Sequence, residues 1–165
     1  LGRQAIVRTM PNTPALVGRG VTGMAATAQV SGVQRELAES ILRTAGDVVW
    51  FDDEAKLDAV TAVSGSGPAY VFYFIEALAR AGTELGLTAE QARELAVQTF
   101  VGAAQLAAES AEPLATLRQR VTSKGGTTAA ALAWMEANAV EARIVEAVHA
   151  AHRRAGELGE EFGRQ

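Results

Sequence analysis

The sequence predicts a fold in two parts, a mixed α/β segment over residues 1–52 and an all-helical region over residues 53–165. A strand pattern, with short runs rich in Val, Thr and aromatic residues, occurs before Asp53 and does not recur after it. Beyond Asp53 alanine dominates, apolar residues recur at helical spacing, and glycine and proline separate about five or six helices. The first part therefore corresponds to the tail of an α/β sheet, and the second to a helical domain.

The first part has the order β-β-α-β. We expect strands at about residues 4–9 and 20–27, and a third strand in "DVVWF", residues 47–51. Between the second and third strands, Ser31 is a favoured N-cap for a helix that runs to about Ala45, and Gly46 is a favoured stop. The apolar residues of that helix follow the i, i+4 rule: Val33, Leu37, Ile41 and Leu42.

The second part is helical throughout. We expect a short helix in "EAKLDAVTAV", which "SGSGP" breaks, and then a long helix from Pro68 to about Leu85. Because this long helix is apolar almost all round, we expect it to be buried on most sides and to pack in an intertwined homodimer. Thr88 and Gln91 form a capping box for the next helix. Later helices begin near Pro113, Thr127 and Ala139.

The stretch "GRGVTG", Gly18–Gly23, has the G-x-G-x-x-G spacing of a dinucleotide-binding turn. A functional turn of that kind joins a strand to a helix whose N-terminus receives the pyrophosphate. Here "PNTPALV" separates the preceding strand from Gly18, and the Val- and Thr-rich "VTGMAATAQV" predicts a second strand rather than a helix. We therefore expect a turn between two strands that binds no phosphate.

Composition narrows the possible functions. The formal net charge of −4 and the pI of about 5.2 argue against a general nucleic-acid binder or a binder of anionic membranes. The chain has no cysteine for disulfides or thiol chemistry, and its longest apolar run, "AYVFYFI", is far too short to cross a bilayer. We expect a cytoplasmic protein. Because the chain begins with Leu rather than Met and enters a strand almost at once, we also expect a fragment or a cleaved product.

Three loops of unusual composition lie beside strong secondary structure: "MPNTP" (10–14), "SGSGPAY" (64–70) and "SKGGTT" (123–128). Each is compatible with an ordinary turn when it is considered singly. In the third loop, glycines expose backbone N–H groups where a helix starts, and Thr127 and Thr128 add hydroxyl groups. Together these groups form a small anion pocket suited to a carboxylate.

These segments, in this order and together with "AVSGSGPAYVFYFIEAL" and "TSKGGTTAAAL", resemble the pyrroline-5-carboxylate reductase family from Ala5 to Leu158. The resemblance implies the C-terminal portion of a Rossmann sheet (1–52) followed by a helical dimerisation and substrate-binding domain (53–165). It also implies NAD(P)H-dependent reduction of 1-pyrroline-5-carboxylate, a cyclic imino acid, to L-proline, the last step of proline biosynthesis. Since the main binding site for NADPH or NADH precedes these motifs in the family and is missing here, we expect the chain to be inactive alone.

The resemblance also assigns site residues by motif position. The substrate carboxylate is expected at Ser123, Gly125, Gly126, Thr127 and Thr128, with the Thr128 hydroxyl near the imine nitrogen as the catalytic contact. "MPNTP" and "SGSGP" are expected to flank the nicotinamide through Pro11, Asn12, Ser66, Gly67 and Pro68. Lys124 lies beside the carboxylate site and is equally compatible with a solvated side chain.

Two other interpretations compete with this one. Glu146, His149 and His152 occur at i, i+3 and i+6 of one helix, and Glu-x-x-His is a ligand spacing in di-iron bundles. Such sites need a second set of ligands, and the chain has only these 2 histidines, so we expect no metal. The alternative function for this polypeptide is that of a non-catalytic helical dimerisation module. The sequence does not decide whether the expected homodimers assemble further.

Overall fold

A computed structural model describes residues 4–163, and the side chains of residues 4–161. The first part forms a sheet segment with one crossover helix: β1 (Val7–Met10), a 3-10 helix (Thr13–Val17), β2 (Gly20–Ala26), α1 (Gly32–Leu42), a second 3-10 helix (Arg43–Ala45) and β3 (Gly46–Phe51). The β-β-α-β order predicted from the sequence is confirmed.

β2 is the central strand of a three-stranded sheet ordered β1-β2-β3. It pairs antiparallel with β1, with Met10 opposite Gly23, and parallel with β3, with Gly20 opposite Gly46. The parallel pair requires a crossover connection, which α1 provides. β2 is also the most buried strand, and Met24 near its centre is 0% exposed. The core of this part therefore lies along β2.

α1 is confirmed together with its predicted N-cap. The Ser31 hydroxyl accepts from the backbone N–H of Gln34, and the Gln34 side chain accepts from the backbone N–H of Ser31. The apolar stripe of α1 is not covered, however: Val33, Leu37 and Ile41 are 77%, 59% and 59% exposed. Helical spacing predicted which side chains share a face, but not whether this chain covers that face.

Polar contacts tie α1 to β3. The indole N–H of Trp50 donates to the Glu39 carboxylate at 2.8 Å, and Arg43 pairs with the same carboxylate at 2.7 Å. The guanidinium of Arg35 lies over the Trp50 ring, 4.3 Å from its centroid. Hydrogen bonds from Trp50 and then Arg43 hold the pKa of Glu39 below its ordinary value. The helix is therefore fixed to the sheet through a charged and aromatic cluster.

The rest of the described chain is helical, as predicted: α2 (Lys56–Val60), α3 (Gly67–Glu84), α4 (Ala89–Glu109), α5 (Leu114–Arg120), α6 (Thr127–Ala137) and α7 (Val140–Gly163). Thr88 caps α4 in the expected capping box with Gln91. Gly86, just after α3, has a φ of 98°, a left-handed conformation that favours glycine. Across residues 4–163, no helix has both the length and the apolar character needed to cross a bilayer.

The predicted break at "SGSGP" is present, but it is a single residue, Ser66, rather than a loop. α2 continues into a π-turn, Thr61–Gly65, closed by a hydrogen bond from the Ser66 N–H to the Thr61 carbonyl at 2.8 Å. α3 then begins at Gly67, so Ser66 alone separates the two helical segments. The hydroxyls of Thr61 and Ser64 bond back to carbonyls one turn earlier, at 2.8 and 3.0 Å. These residues, typical of loops, therefore satisfy their polar groups within the helix.

α3 is not buried by the described residues of a single chain, so its predicted burial stays a prediction that depends on a second chain. None of its residues is buried, and Phe72, Tyr73 and Leu78 are 60%, 72% and 47% exposed. One close approach is present, since a Cβ at Gly82 would lie 3.0 Å from the Cβ of Ala92 in α4. A long apolar helix thus keeps most of its surface in contact with solvent unless another chain covers it.

The described residues form two compact units. One comprises the described parts of Leu1–Tyr70 and Glu146–Gln165, and the other comprises Val71–Val145. The sheet, α2 and the π-turn belong to the first unit, and α4, α5 and α6 belong to the second. The last strand ends at Phe51, beside the change in composition at residues 52–53. A domain boundary at that point stays a prediction.

Candidate active site

The "MPNTP" segment connects β1 to β2. Met10 ends β1, and Asn12 is the N-cap residue of the 3-10 helix that follows, with Pro14 in its first turn. An N-cap Asn commonly accepts a hydrogen bond from its own helix, but this side chain makes none. Its Oδ1 accepts instead from the backbone N–H of Val21 in β2 at 2.9 Å. The Asn12 side chain is therefore committed to a tertiary contact.

The same side chain joins "MPNTP" to "SGSGP". Asn12 Nδ2 donates to the carbonyl oxygen of Ser64 in the π-turn at 3.2 Å, across 52 residues of sequence. Gly65 also lies against Met10, since a Cβ at Gly65 would be 2.5 Å from Met10 Cε. The structure therefore brings two of the three predicted site segments into contact within one unit.

The other predicted cofactor contacts lie where the π-turn passes into α3. Ser66, Gly67 and Pro68 are half-buried, whereas Pro11 is exposed. A Cβ at Gly67 would meet no heavy atom within 4 Å, so its backbone faces open space. Next along α3, Tyr70 donates its hydroxyl to the carbonyl oxygen of Ala62 in the π-turn at 3.2 Å. Tyr70 belongs to the "SGSGPAY" segment, but this contact was not predicted, because it depends on a π-turn that no local pattern predicts.

The "SKGGTT" segment belongs to the second unit and forms a tight turn followed by a helix start. The Gly126 N–H donates to the Ser123 carbonyl at 3.0 Å, and the intervening Gly125 has a left-handed φ of 74°. Gly126 is the N-cap residue of α6, and a Cβ there would overlap the Ser123 hydroxyl. The left-handed conformation therefore favours glycine at 125, and a side chain at 126 would force the Ser123 hydroxyl to move. Lys124, inside the turn, is exposed.

The start of α6 presents unused backbone donors. The helix closes its first hydrogen bond from the Ala130 N–H to the Gly126 carbonyl at 3.1 Å. The N–H groups of Thr127, Thr128 and Ala129 therefore have no acceptor within the helix. The expectation that the Gly126 N–H is also available is wrong, because the turn already uses it. Thr128 as a whole residue is half-buried.

The glycines of the G-x-G-x-x-G stretch serve the sheet. Gly18 has a φ of 68° and ends the 3-10 helix, whereas Gly20 and Gly23 lie within β2. A Cβ at Gly20 would lie 2.9 Å from Ala15 Cα, and a Cβ at Gly23 would lie 2.7 Å from Val60 Cγ1. The prediction of a strand rather than a helix after Gly18 is confirmed, although the turn itself is only Gly18 and Arg19, because β2 already begins at Gly20. That this stretch binds no phosphate stays a prediction.

The histidine pair of α7 lines a cavity of about 390 Å³ in the first unit. His149 and His152 face it together with Arg153, and α2 and the π-turn contribute Ala59 and Ala62. In the part of the chain from residue 4 to residue 163, no three His, Cys, Asp or Glu side chains are grouped closely enough to hold a metal ion. The expectation of no metal site stays a prediction.

The fold and these loops define a class of protein, an α/β sheet segment joined to a helical region with an exposed apolar surface. Comparison with known families gives the particular family. The family described as pyrroline-5-carboxylate reductase dimerisation matches residues 54–158. This chain belongs to the pyrroline-5-carboxylate reductase dimerisation family.

Individual relatives agree with this assignment. The chain is 51% identical over 159 residues to a pyrroline-5-carboxylate reductase of Pseudomonas aeruginosa, covering 96% of this chain and 58% of that protein. A solved pyrroline-5-carboxylate reductase of Coxiella burnetii matches with a TM-score of 0.92 and 45% identity, covering 95% of this chain and 58% of its own. A Plasmodium falciparum pyrroline carboxylate reductase with NADP bound matches with a TM-score of 0.89 and 34% identity, covering 96% and 63%. This chain thus spans about three-fifths of the length of these relatives.

Proposed function

We propose that this chain is the C-terminal part of a cytoplasmic reductase that converts 1-pyrroline-5-carboxylate to L-proline with NADPH or NADH. The observation that carries the proposal is the 51% identity to the Pseudomonas aeruginosa reductase, which extends over 96% of this chain and so includes all three candidate loops. A shared fold alone would not indicate a shared reaction. The TM-score of 0.92 to the Coxiella burnetii reductase supports the same assignment.

The start of α6 is the proposed site for the substrate carboxylate. A small imino acid carries one permanent negative charge, and the unused N–H groups of Thr127, Thr128 and Ala129 can donate to it. The dipole of α6 favours an anion at this end by about 0.3–1 kcal/mol. Gly125 and Gly126 add no side chain that would hold the carboxylate away from the backbone. Ser123 contributes a hydroxyl from the other side of the turn.

Thr128 is the proposed contact to the reacting end of the substrate. The imine nitrogen must carry a proton for its carbon to accept hydride, so the site requires orientation and a nearby polar group more than a nucleophile. Thr128, a half-buried residue, offers both a backbone N–H for the carboxylate and a hydroxyl for the ring nitrogen. One residue can therefore fix two points of a small substrate.

Ser66, Gly67 and Pro68 of the first unit are the proposed contacts to the nicotinamide end of the cofactor. When bound, the nicotinamide supplies the hydride. The bare backbone of Gly67 faces open space, which leaves room for a flat ring, and Ser66 and Pro68 border it. Gly20 and Gly23 of the G-x-G-x-x-G stretch are instead packed within β2, against Ala15 and Val60. We therefore assign the pyrophosphate to a preceding Rossmann region of a longer polypeptide.

Assembly through the helical region is part of the proposal. The family match to a dimerisation domain supports homo-oligomerisation. The exposed apolar side chains of α3 supply a surface for it, since an isologous contact buries the same face twice. The proposed assembly is a homodimer whose interface is formed by helices within residues 64–158. For the 165-residue chain alone, a non-catalytic dimerisation module is the second candidate, favoured by the same exposed surface.

The test compares two proteins in one assay of NAD(P)H oxidation dependent on 1-pyrroline-5-carboxylate. One is this chain alone, and the other is the chain preceded by the Rossmann region proposed for it. We expect turnover from the longer protein and none from the chain alone. Turnover by the chain alone would refute the assignment of the pyrophosphate site. Absence of turnover in a folded, cofactor-binding longer protein would refute the proposed reaction.

A further inference from the structure

The π-turn Thr61–Gly65 is held by two side chains from outside it. The Ser64 carbonyl accepts from Asn12 Nδ2 at 3.2 Å, and the Ala62 carbonyl accepts from the Tyr70 hydroxyl at 3.2 Å. Asn12 lies between β1 and β2, whereas Tyr70 lies in α3. Two separate elements therefore fix the carbonyl groups of one turn.

The amide of Asn12 is suited to this task because both of its ends are used. Oδ1 accepts from the Val21 N–H at 2.9 Å while Nδ2 donates to Ser64. A backbone donor on one side and a backbone acceptor on the other allow a single orientation of the amide. The side chain thus connects the buried strand β2 to the π-turn.

A π-turn needs such support. A turn with i to i+5 hydrogen bonds is rare, occurs mostly as a single widened turn, and is frequent at functional sites. A backbone conformation that is unfavourable by itself persists only where contacts from the surrounding structure hold it in place. Three contacts hold this π-turn: the hydrogen bonds donated by Asn12 and Tyr70, and the close approach of Gly65 to Met10. The position of the following backbone, residues 66–68, depends on how this turn is held.

We infer that Asn12 and Tyr70 are positioning residues, which hold the π-turn so that the backbone of Ser66–Pro68 orients the nicotinamide for hydride transfer. This inference rests on the proposed function in one respect, that "SGSGP" flanks the nicotinamide. Asn12 acts through Ser64 and not by a direct amide contact with the cofactor, which differs from the role expected from its motif. Orientation matters because a displacement of about 1 Å can lower a rate by up to about 100-fold.

Two substitutions remove the contacts with little change of volume. Asn12→Asp keeps an acceptor for the Val21 N–H but places a second acceptor against the Ser64 carbonyl. Tyr70→Phe removes one hydroxyl and nothing else. Tyr73→Phe is the matched control on the same helix, because it removes a hydroxyl that has no hydrogen bond within residues 4–161 and keeps the ring that belongs to the apolar face proposed for the dimer.

The first measurement uses the intact enzyme, which here means this chain preceded by its proposed Rossmann region, loaded with NAD(P)H. We expect kcat to fall about 10-fold for Asn12→Asp and about 3-fold for Tyr70→Phe, with KM for NAD(P)H within about 2-fold of wild type. The primary deuterium isotope effect on kcat should rise in both variants, because hydride transfer becomes slower relative to the other steps. Tyr73→Phe should change none of these values. A lower Tm with unchanged kcat and isotope effect would overturn the inference, because it would show a purely structural role.

The second measurement separates this inference from the proposed function. Hydrogen exchange of the Ser66 amide, which closes the π-turn, is followed in wild type and in the three variants. Exchange should be about 10-fold faster in Asn12→Asp and Tyr70→Phe, and unchanged in Tyr73→Phe. If wild type itself shows no reductase turnover, the proposed function fails and the exchange rates alone decide whether the side chains hold the turn. Unchanged exchange overturns the inference, and Tyr70→Phe decides it if Asn12→Asp does not fold.

Discussion

Substitution of Gly23 by alanine tests the conclusion that the G-x-G-x-x-G glycines serve packing of the sheet. Gly23 is buried in β2, and a Cβ there would lie 2.7 Å from Val60 Cγ1, 3.0 Å from Val60 Cγ2 and 3.3 Å from Phe51 Cε2. Rotation of Val60 brings no relief, because a β-branched side chain in a helix has one strongly preferred rotamer and both of its methyl groups are already close. The sheet and α2 must therefore move apart.

The size of the effect follows from two opposing contributions. Overfilling a packed core costs about 1–3 kcal/mol, whereas replacing glycine by alanine within a strand is worth about 0.5–1 kcal/mol in its favour. At the middle of both ranges, Gly23→Ala should lower the free energy of unfolding by about 1 kcal/mol. The control is Gly32→Ala at the start of α1, where a Cβ meets no heavy atom within 4 Å. That variant should be at least as stable as wild type.

The assay is urea unfolding of the 165-residue variants at one fixed protein concentration, since oligomerisation couples stability to concentration. Gly23→Ala should unfold at a lower urea midpoint than Gly32→Ala, with a similar m-value. If Gly23→Ala were as stable as Gly32→Ala, the close approach of Val60 would not be the reason for glycine at this position, and a ligand-facing role for Gly23 would have to be considered again.

Three further outcomes are expected. Phe72→Glu, which places a charge on the exposed apolar face of α3, should give a monomer mass by light scattering where wild type and Glu76→Gln give a dimer. Glu39→Gln should be less stable than wild type at neutral pH, and the difference in urea midpoint should vanish as pH falls through the lowered pKa of Glu39; a persistent difference in acid would contradict this. In the intact enzyme, Thr128→Ala should lower kcat/KM about 10- to 100-fold, because one hydrogen bond to a charged group contributes about 1.5–3 kcal/mol. Lys124→Ala should lower kcat/KM less.

Local signals in the sequence predicted local structure well. The N-cap at Ser31 and the capping box of Thr88 with Gln91 depend on residues at most three positions apart, and both are present. The strand after Gly18 was predicted because Val and Thr at this position favour an extended chain, and β2 begins at Gly20. The left-handed Gly125 and the helix start after Gly126 likewise follow from adjacent residues.

Features that depend on distant partners were not predictable in the same way. The π-turn is stabilised by Asn12, which is 52 residues away from Ser64 in sequence, so "SGSGP" alone suggested a loop. The exposure of Val33 in α1 and of Phe72 in α3 depends on surfaces that the described residues do not cover. Hydrophobic spacing identifies a face but carries no information on which chain buries it.

The most direct test of the account is transfer of deuterium from a cofactor labelled at the position that donates hydride. The intact enzyme is supplied with 1-pyrroline-5-carboxylate and the labelled NADPH or NADH, and the product is analysed by mass spectrometry and NMR. The account predicts L-proline with one deuterium on the former imine carbon, formed by wild type and more slowly by Thr128→Ala. Formation of no labelled proline, or equal rates for wild type and Thr128→Ala, would contradict it.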